Sequence, residues 1–494
     1  MADPILFWNA VALEANRQDF TSEPGAKAAQ EQPGPTMSSR ALGLVHLAMY
    51  DAYFGALGFP AGVASPYLPG ITPPAPPVDP DGAVAQAAYE ILQWLYPAQS
   101  ALFNRNLTQF LGANAEWGPA RQWGHVVANQ LRARRERDPG AGAGAGDSGY
   151  TYSQAPRHHR ADPAQPEQRP HAPFYGARSA CFAVQRRHAL LAPPAHGTLL
   201  YSAELQRVRS KGIAPELAAS VPLAIQRTPE ETMIGQFWAY DGVRKLGTPP
   251  RLYNRILRQI AQAQGNSPTE NAQLFALVNA AMADAGILAW EQKYVHDLWR
   301  PVVGIREHDT AEMGPSAVGS AVLAPDCDPG WLPLGAPASN SFNPSTKAGE
   351  PNGTPPFPAY PSGHATFGAA ALHMIELFYD GKLGQGKGND VFQNEALVSE
   401  ELDGQTTSNT GVTRPRHART FPGGLRQMIE ENGWSRVYLG VHWLFDAFLP
   451  DADVKPDLSQ PVGGVPLGLA IAEHIFQANK GTSAWSSPVG PAQP

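Results

Sequence analysis

Apolar positions along this 494-residue chain recur at helical spacing, and the alternation that marks strands is nearly absent. Within residues 38–57, Leu42, Val45, Leu47 and Met49 follow the helical spacing, and residues 83–95 and 98–111 repeat it. Two helix starts carry fuller signals. Thr228-Pro229-Glu230-Glu231 and Ser267-Pro268-Thr269-Glu270 are each a capping box with proline at the first helical position. The second opens a long helix through Asn279 and Trp290 to about Trp299, where Pro301 is expected to stop it. Pro- and Gly-rich breaks separate these segments. Residues 70–82 read as a surface loop, 138–149 as a flexible Gly/Ala linker, and 156–173 as an irregular stretch. The pattern predicts an all-α protein of two helical bundles, residues 1–215 and 216–494, joined near 190–220.

Composition narrows the class. Charged residues make up 16% of the chain, against about 25% in typical globular proteins, and the net charge is −7. With a pI near 6.1 and no long Lys/Arg stripe, a nucleic-acid partner is not expected. Cys181 and Cys327 cannot form a CxxC motif and read as two free thiols. His158, His159 and His171 lie in the Pro-rich stretch without metal-ligand spacing, so an exposed irregular loop is expected there rather than a metal cluster. The opening residues lack a basic region followed by a long apolar run, so no secretory signal is expected. No apolar run reaches 18 residues, so no transmembrane segment is expected either. Localisation and oligomeric state are left open by these features.

Three segments of the C-terminal half carry chemistry. Lys293 and Arg300 stand seven residues apart, about two helical turns, so on one helix both cations would project from one face. Two stacked cations repel unless an anion bridges them. Next, Ser362-Gly363-His364 precedes a strong helix-forming run, which puts Ser362 at the N-cap and Gly363 and His364 in the first turn. Unpaired N–H groups at a helix start form an anion cradle, and Gly363 has no side chain to block close approach. Third, His442 and Asp446 are spaced i, i+4, which lets a carboxylate fix an imidazole tautomer. Arg436 would lie about 120° from His442 on an unbroken helix, unless Gly440 interrupts it. Three cations, a helix start, a hydroxyl and two histidines suit a tetrahedral or trigonal-bipyramidal oxyanion better than a divalent metal, which Lys and Arg would repel.

Read together, Lys293-x6-Arg300-Pro301, Pro361-Ser362-Gly363-His364 and Ser435-Arg436-x5-His442-x3-Asp446 resemble the three-part signature of the superfamily of type 2 phosphatidic acid phosphatases and vanadium haloperoxidases. Further segments, at residues 5–17, 39–44, 171–176, 237–254 and 355–368, resemble the chloroperoxidase type within it. The resemblance implies a vanadate cofactor and oxidation of chloride or bromide by hydrogen peroxide to hypohalous acid, through a peroxovanadate bound to His442, with a small organic acceptor. It implies that His442 is the vanadium ligand. Lys293, Arg300, Arg436, Ser362 and Gly363 would hold the oxygens, and His364 would act as acid–base. Asp446 would orient His442, Asp241 would pair with Arg436, and Trp290 and Phe357 would form apolar walls near the halide. Phe357, five residues before Ser362, stands where algal bromoperoxidases carry His, and so points to the chloroperoxidase type.

Two rival readings use the same residues. An acid phosphatase would attack phosphorus with His442 and protonate the leaving group from His364. A non-catalytic phosphate-binding or structural helical protein would need the cradle but not both histidines.

Overall fold

The computed structural model describes residues 3–21, 30–112, 118–139, 149–307 and 327–492. Five helices fill the first part: α1 (Pro4–Asp19), α2 (Gly34–Ala56), α3 (Pro80–Leu95), α4 (Ser100–Leu111) and α5 (Gly118–Arg135). The short α6 (Tyr175–Arg178) and α7 (Leu199–Lys211) lead to α8 (Pro229–Phe237), α9 (Pro249–Ala263) and α10 (Pro268–His296). There follow α11 (Pro301–Glu307), α12 (Gly363–Leu383), α13 (Gly424–Tyr438) and α14 (Gly464–Asn479). Two antiparallel pairs complete the described elements: β1 (Ala396–Val398) with β2 (Ala418–Thr420), and β3 (Leu449–Pro450) with β4 (Pro456–Asp457). The all-α expectation stands. The linker expected at 138–149 falls largely on residues 140–148, outside the described ones.

Both capping boxes form: Thr228 and Glu231 open α8, and Ser267 and Glu270 open α10. Helix α10 is the axis of the molecule, packing against α2, α12 and α14. By length and composition α10 could cross a membrane, but 94% of its most apolar window is buried inside the protein. It is a core helix. Small residues let the neighbours close in. A Cβ on Gly468 of α14 would sit 2.5 Å from the Thr366 carbonyl of α12, and one on Gly124 of α5 only 2.3 Å from the Ala83 carbonyl of α3, a contact that only glycine permits. One continuous hydrophobic core runs from Ile5 through Met282 to Trp485. It carries a few fully satisfied polar groups. Asp284 accepts the backbone N–H groups of Phe182, Ala183 and Val184 at 2.5–2.8 Å, which pins the segment before α7 onto α10.

Two expectations fail at the end of α10. The helix stops at His296, not Trp299, because Asp297 adopts a left-handed conformation (φ 48°). Asp297 is held there by its tertiary partners: Tyr150 donates to its carboxylate at 2.6 Å, and His158 Nδ1 lies 2.8 Å away. Pro301 therefore does not stop this helix but starts α11, where its missing N–H is harmless. The second failure concerns residues 156–173. The stretch is irregular, but it is not an exposed loop at its histidines: His159 is fully buried, and His171 lines the cavity described below. The buried backbone of this stretch is tied to residues 297–299, where His159 donates to the Asp297 carbonyl at 2.8 Å. Cys181 is a buried free thiol and forms no disulfide with Cys327.

Candidate active site

The end of α10, the start of α12 and the turn after α13 meet at the floor of a cavity of about 1310 Å³, lined among others by His171, Asp241, Trp290, Phe357, Gly363, His364, Arg436 and His442. Lys293, in the last turn of α10, is fully buried. Its ammonium donates to the carbonyls of Pro358 (2.9 Å), Ala359 (3.1 Å) and Pro361. Arg300 does not share a helix with Lys293, contrary to expectation; it precedes α11 after the turn at Asp297. The two cations still converge, because that turn folds the chain back. Arg300 donates from Nε to the Phe357 carbonyl at 2.8 Å, and from Nη1 to the Val441 carbonyl at 2.8 Å and to His442 Nε2 at 2.9 Å.

Ser362 is the N-cap of α12, accepting from the Ala365 N–H, so Gly363 and His364 lie in the first turn as the sequence predicts. A Cβ on Gly363 would meet the Trp290 ring at 3.3 Å, so the gap there is left open by glycine. The backbone of His364 is clamped by Tyr253 (3.0 Å) and Asn432 (2.8 Å), both donating to its carbonyl. Its Nε2 is 2.6 Å from the Ala239 carbonyl, a contact only a protonated Nε2 can make, which leaves Nδ1 as the basic nitrogen. Neither Tyr253, Asn432 nor Ala239 is signalled in the sequence as part of the site.

Helix α13 ends at Tyr438, and Gly440 (φ 72°) turns the chain so that Arg436 and His442 can converge. A side chain at 440 would collide with the Gly212 carbonyl, 2.4 Å from an ideal Cβ. Asp446 approaches His442 through a short 3-10 turn rather than an α-helix. His442 Nδ1 donates to Asp446 at 2.9 Å, and the Trp443 N–H donates to the same oxygen at 3.0 Å. Nε2 of His442 therefore keeps its lone pair. Arg436 and Asp241 form a buried two-bond pair at 2.7 and 3.1 Å. Trp290 and Phe357 pack tilted at 54° with ring centroids 4.8 Å apart, and the Lys293 ammonium lies 5.6 and 5.0 Å from the two rings.

The cluster is short of negative charge: three buried cations face the carboxylates of Asp241 and Asp446. Burial, then Arg300, holds the Lys293 ammonium well below its ordinary value. Burial lowers Arg300 to about 9, and burial raises Asp446 to about 7 against the pull of Lys293 and Arg300. Burial lowers His364 to about 3, with Arg436 adding to the effect, and burial with Arg300 and Lys293 holds His442 well below its usual range. Lys293 and Arg300 are thus both biased toward their neutral forms, and a bound anion relieves both at once. Two buried donors await one: Arg300 Nη2 and Arg436 Nε have no hydrogen-bond partner among the described residues. Among those residues no group of three or more His, Cys, Asp and Glu could hold a metal cation.

Comparison with known proteins identifies the family. Residues 2–180 match the family model of the vanadium chloroperoxidase N-terminal domain, and residues 273–449 that of the second helical-bundle domain of the same enzymes. The chain is 33% identical to the vanadium chloroperoxidase of Curvularia inaequalis, over 96% of this chain and 89% of that one. In fold it is similar to a bacterial vanadium-dependent iodoperoxidase (TM-score 0.59, 17% identity, 95% and 94% of the two chains). It is also similar to a bacterial vanadium-dependent chloroperoxidase in its holo form (TM-score 0.54, 16% identity, 94% and 98%). On the strength of the two matched domains and the near full-length relative, the chain belongs to the vanadium chloroperoxidase family.

Proposed function

We propose that the protein is a vanadium-dependent haloperoxidase that oxidises halide, chloride or bromide, with hydrogen peroxide to hypohalous acid. The observation that carries the reading is the pair of unpartnered guanidinium donors, Arg300 Nη2 and Arg436 Nε, buried beside a histidine that Asp446 holds in the Nδ1–H form, so that Nε2 carries the lone pair and here accepts from Arg300 Nη1. The residues fit vanadate: cationic and N–H donors for its oxygens, an open space at Gly363, and one neutral imidazole nitrogen for vanadium.

Bound vanadate supplies a vanadium(V) Lewis acid that activates hydrogen peroxide toward halide without changing oxidation state. Lys293, Arg300 and Arg436 neutralise and orient its oxygens, together with the Ser362 hydroxyl and the Gly363 N–H. His442 Nε2 is the ligand, and Asp446 raises its basicity while holding the ring in the Nδ1–H form. Asp241 fixes the plane of Arg436. Neutral His364 takes up, at Nδ1, the proton that hydrogen peroxide gives up on binding, and returns it as the product leaves. Trp290 and Phe357 keep water from the approach to the cations. The residues 1–215 and 216–494 are proposed as the two bundles, the second carrying the site.

His442→Ala tests this reading. The variant should keep its fold and lose vanadate-dependent halogenation of a phenolic dye. Wild-type halogenation in this variant would remove His442 from the ligand role. The rival, an acid phosphatase with a phosphohistidine at His442, uses the same cradle, and phosphate-ester hydrolysis should be measured in parallel.

A further inference from the structure

His171 is not part of the anion cradle, yet it lines the same cavity. It comes from the irregular stretch before α6. Its backbone is fixed at both ends: the N–H donates to the Pro356 carbonyl at 2.8 Å, and the carbonyl accepts from Tyr294 at 2.7 Å. The ring stands edge-on to Trp290 at 6.2 Å and tilted to Phe357 at 6.2 Å. Its Nε2 edge is seated over Gly34, where an ideal Cβ would lie 2.4 Å from that nitrogen. Gly34 has φ 68°, so any side chain there is doubly excluded.

One hydrogen bond decides which nitrogen carries the proton. Nε2 lies 3.2 Å from the hydroxyl of Thr36, which is fully buried. That hydroxyl has no other acceptor for its proton among the described residues. If Nε2–H donated to Thr36, the hydroxyl hydrogen would be buried unpaired, at a real cost. If Thr36 donates to Nε2, both groups are satisfied and the ring proton sits on Nδ1. No protein group among the described residues accepts from Nδ1. Burial also holds the imidazole down to about 4, so the ring is neutral in ordinary buffers.

We propose that His171 is a halide-specificity residue, whose Nδ1–H donates to the halide in the cavity beside Trp290 and Phe357. A halide entering an apolar pocket gives up hydration, and the smaller, more strongly hydrated chloride gives up most. One fixed N–H donor replaces part of that loss, so it matters most for chloride, less for bromide and least for iodide. The pocket thereby combines the Phe357 of the chloroperoxidase type with a histidine brought from elsewhere in the chain. The proposal rests on the haloperoxidase reading above.

The test compares vanadate-loaded wild type with His171→Phe, His171→Gln and Thr36→Val. In His171→Phe the KM for chloride should rise about tenfold or more, bromide by less, and iodide should barely change, with the KM for hydrogen peroxide unaltered. His171→Gln, which restores an N–H donor, should recover part of the chloride affinity. Thr36→Val, which frees the tautomer, should show a smaller chloride defect. Line broadening of the ³⁵Cl resonance by vanadate-loaded protein should be lost in the Phe variant. Equal changes for all three halides, or none, would overturn the proposal. So would loss of vanadate binding by calorimetry in the Phe variant, which would make His171 part of the scaffold. A wild type that turns over no halide, while still broadening the ³⁵Cl signal through His171, would overturn the haloperoxidase reading instead.

Discussion

Removing the carboxylate of Asp446 separates two effects that the site combines. In Asp446→Ala, His442 loses the 2.9 Å bond to Nδ1, and the Trp443 N–H loses its 3.0 Å acceptor. Loss of the outer partner of a ligating histidine typically weakens the bound group about 10–100-fold, or roughly 1.4–2.7 kcal/mol. A second effect opposes it: deleting a negative charge beside Lys293, Arg300 and Arg436 strengthens attraction for any anion. The two are told apart by comparing vanadate with phosphate. Both would feel the charge change, but on the proposed assignment only vanadate would take His442 Nε2 as a ligand in its resting form. Calorimetric titrations of the vanadate-free protein at pH 8, above the value of about 7 to which burial raises Asp446, give both affinities. The vanadate-to-phosphate affinity ratio should fall about 10–100-fold, with the charge effect cancelling between the two anions. A ratio within threefold of wild type would refute the reasoning that Asp446 acts through His442.

Other outcomes follow from the same geometry. Arg300→Ala removes the donor shared by His442 and Val441 together with an unpartnered Nη2, and vanadate affinity should drop by at least tenfold; unchanged calorimetry would contradict the cradle assignment. Asp241→Asn loosens Arg436, so vanadate should bind about tenfold more weakly while thermal stability changes little; a normal affinity would show that the pair does not position Arg436. Gly440→Ala forces an alanine into φ 72° at a cost of about 1–2 kcal/mol, before its collision with the Gly212 carbonyl, so Tm should fall by several degrees; an unaltered melt would refute the close approach. Fully buried His46 is lowered to about 4, so the native state resists a proton that the unfolded chain accepts below about pH 6.5. Its contribution is complete above that pH and fades as pH drops toward 4, by about 1.4 kcal/mol per unit; urea unfolding that is as stable at pH 5 as at pH 7 would contradict it.

Local signals were legible where local chemistry decides. The capping boxes at Thr228 and Ser267, the N-cap at Ser362 and the break at Gly440 each depend on residues within a few positions, and each forms. The sequence also holds the residues of the cradle, because three matched motifs name them. What sequence spacing misread was the path between Lys293 and Arg300. Helical continuity is decided at Asp297 by Tyr150 and His158, more than a hundred residues away in the chain. The same long-range docking buries His159 and brings His171 to the cavity, where composition alone suggested an exposed loop. Partners such as the Ala239 carbonyl and Asn432 carry no motif, since a backbone oxygen or a lone amide acquires its role only from the fold.

The central claim is that the cradle serves vanadate and halide oxidation rather than phosphoryl transfer. The direct measurement is to strip the protein of oxyanions, add orthovanadate, hydrogen peroxide and bromide or chloride, and follow halogenation of a phenolic dye against a vanadate-free control. The account predicts halogenation that appears only with vanadate and is competed away by phosphate. Robust phosphate-ester hydrolysis with no vanadate-dependent halogenation would contradict it.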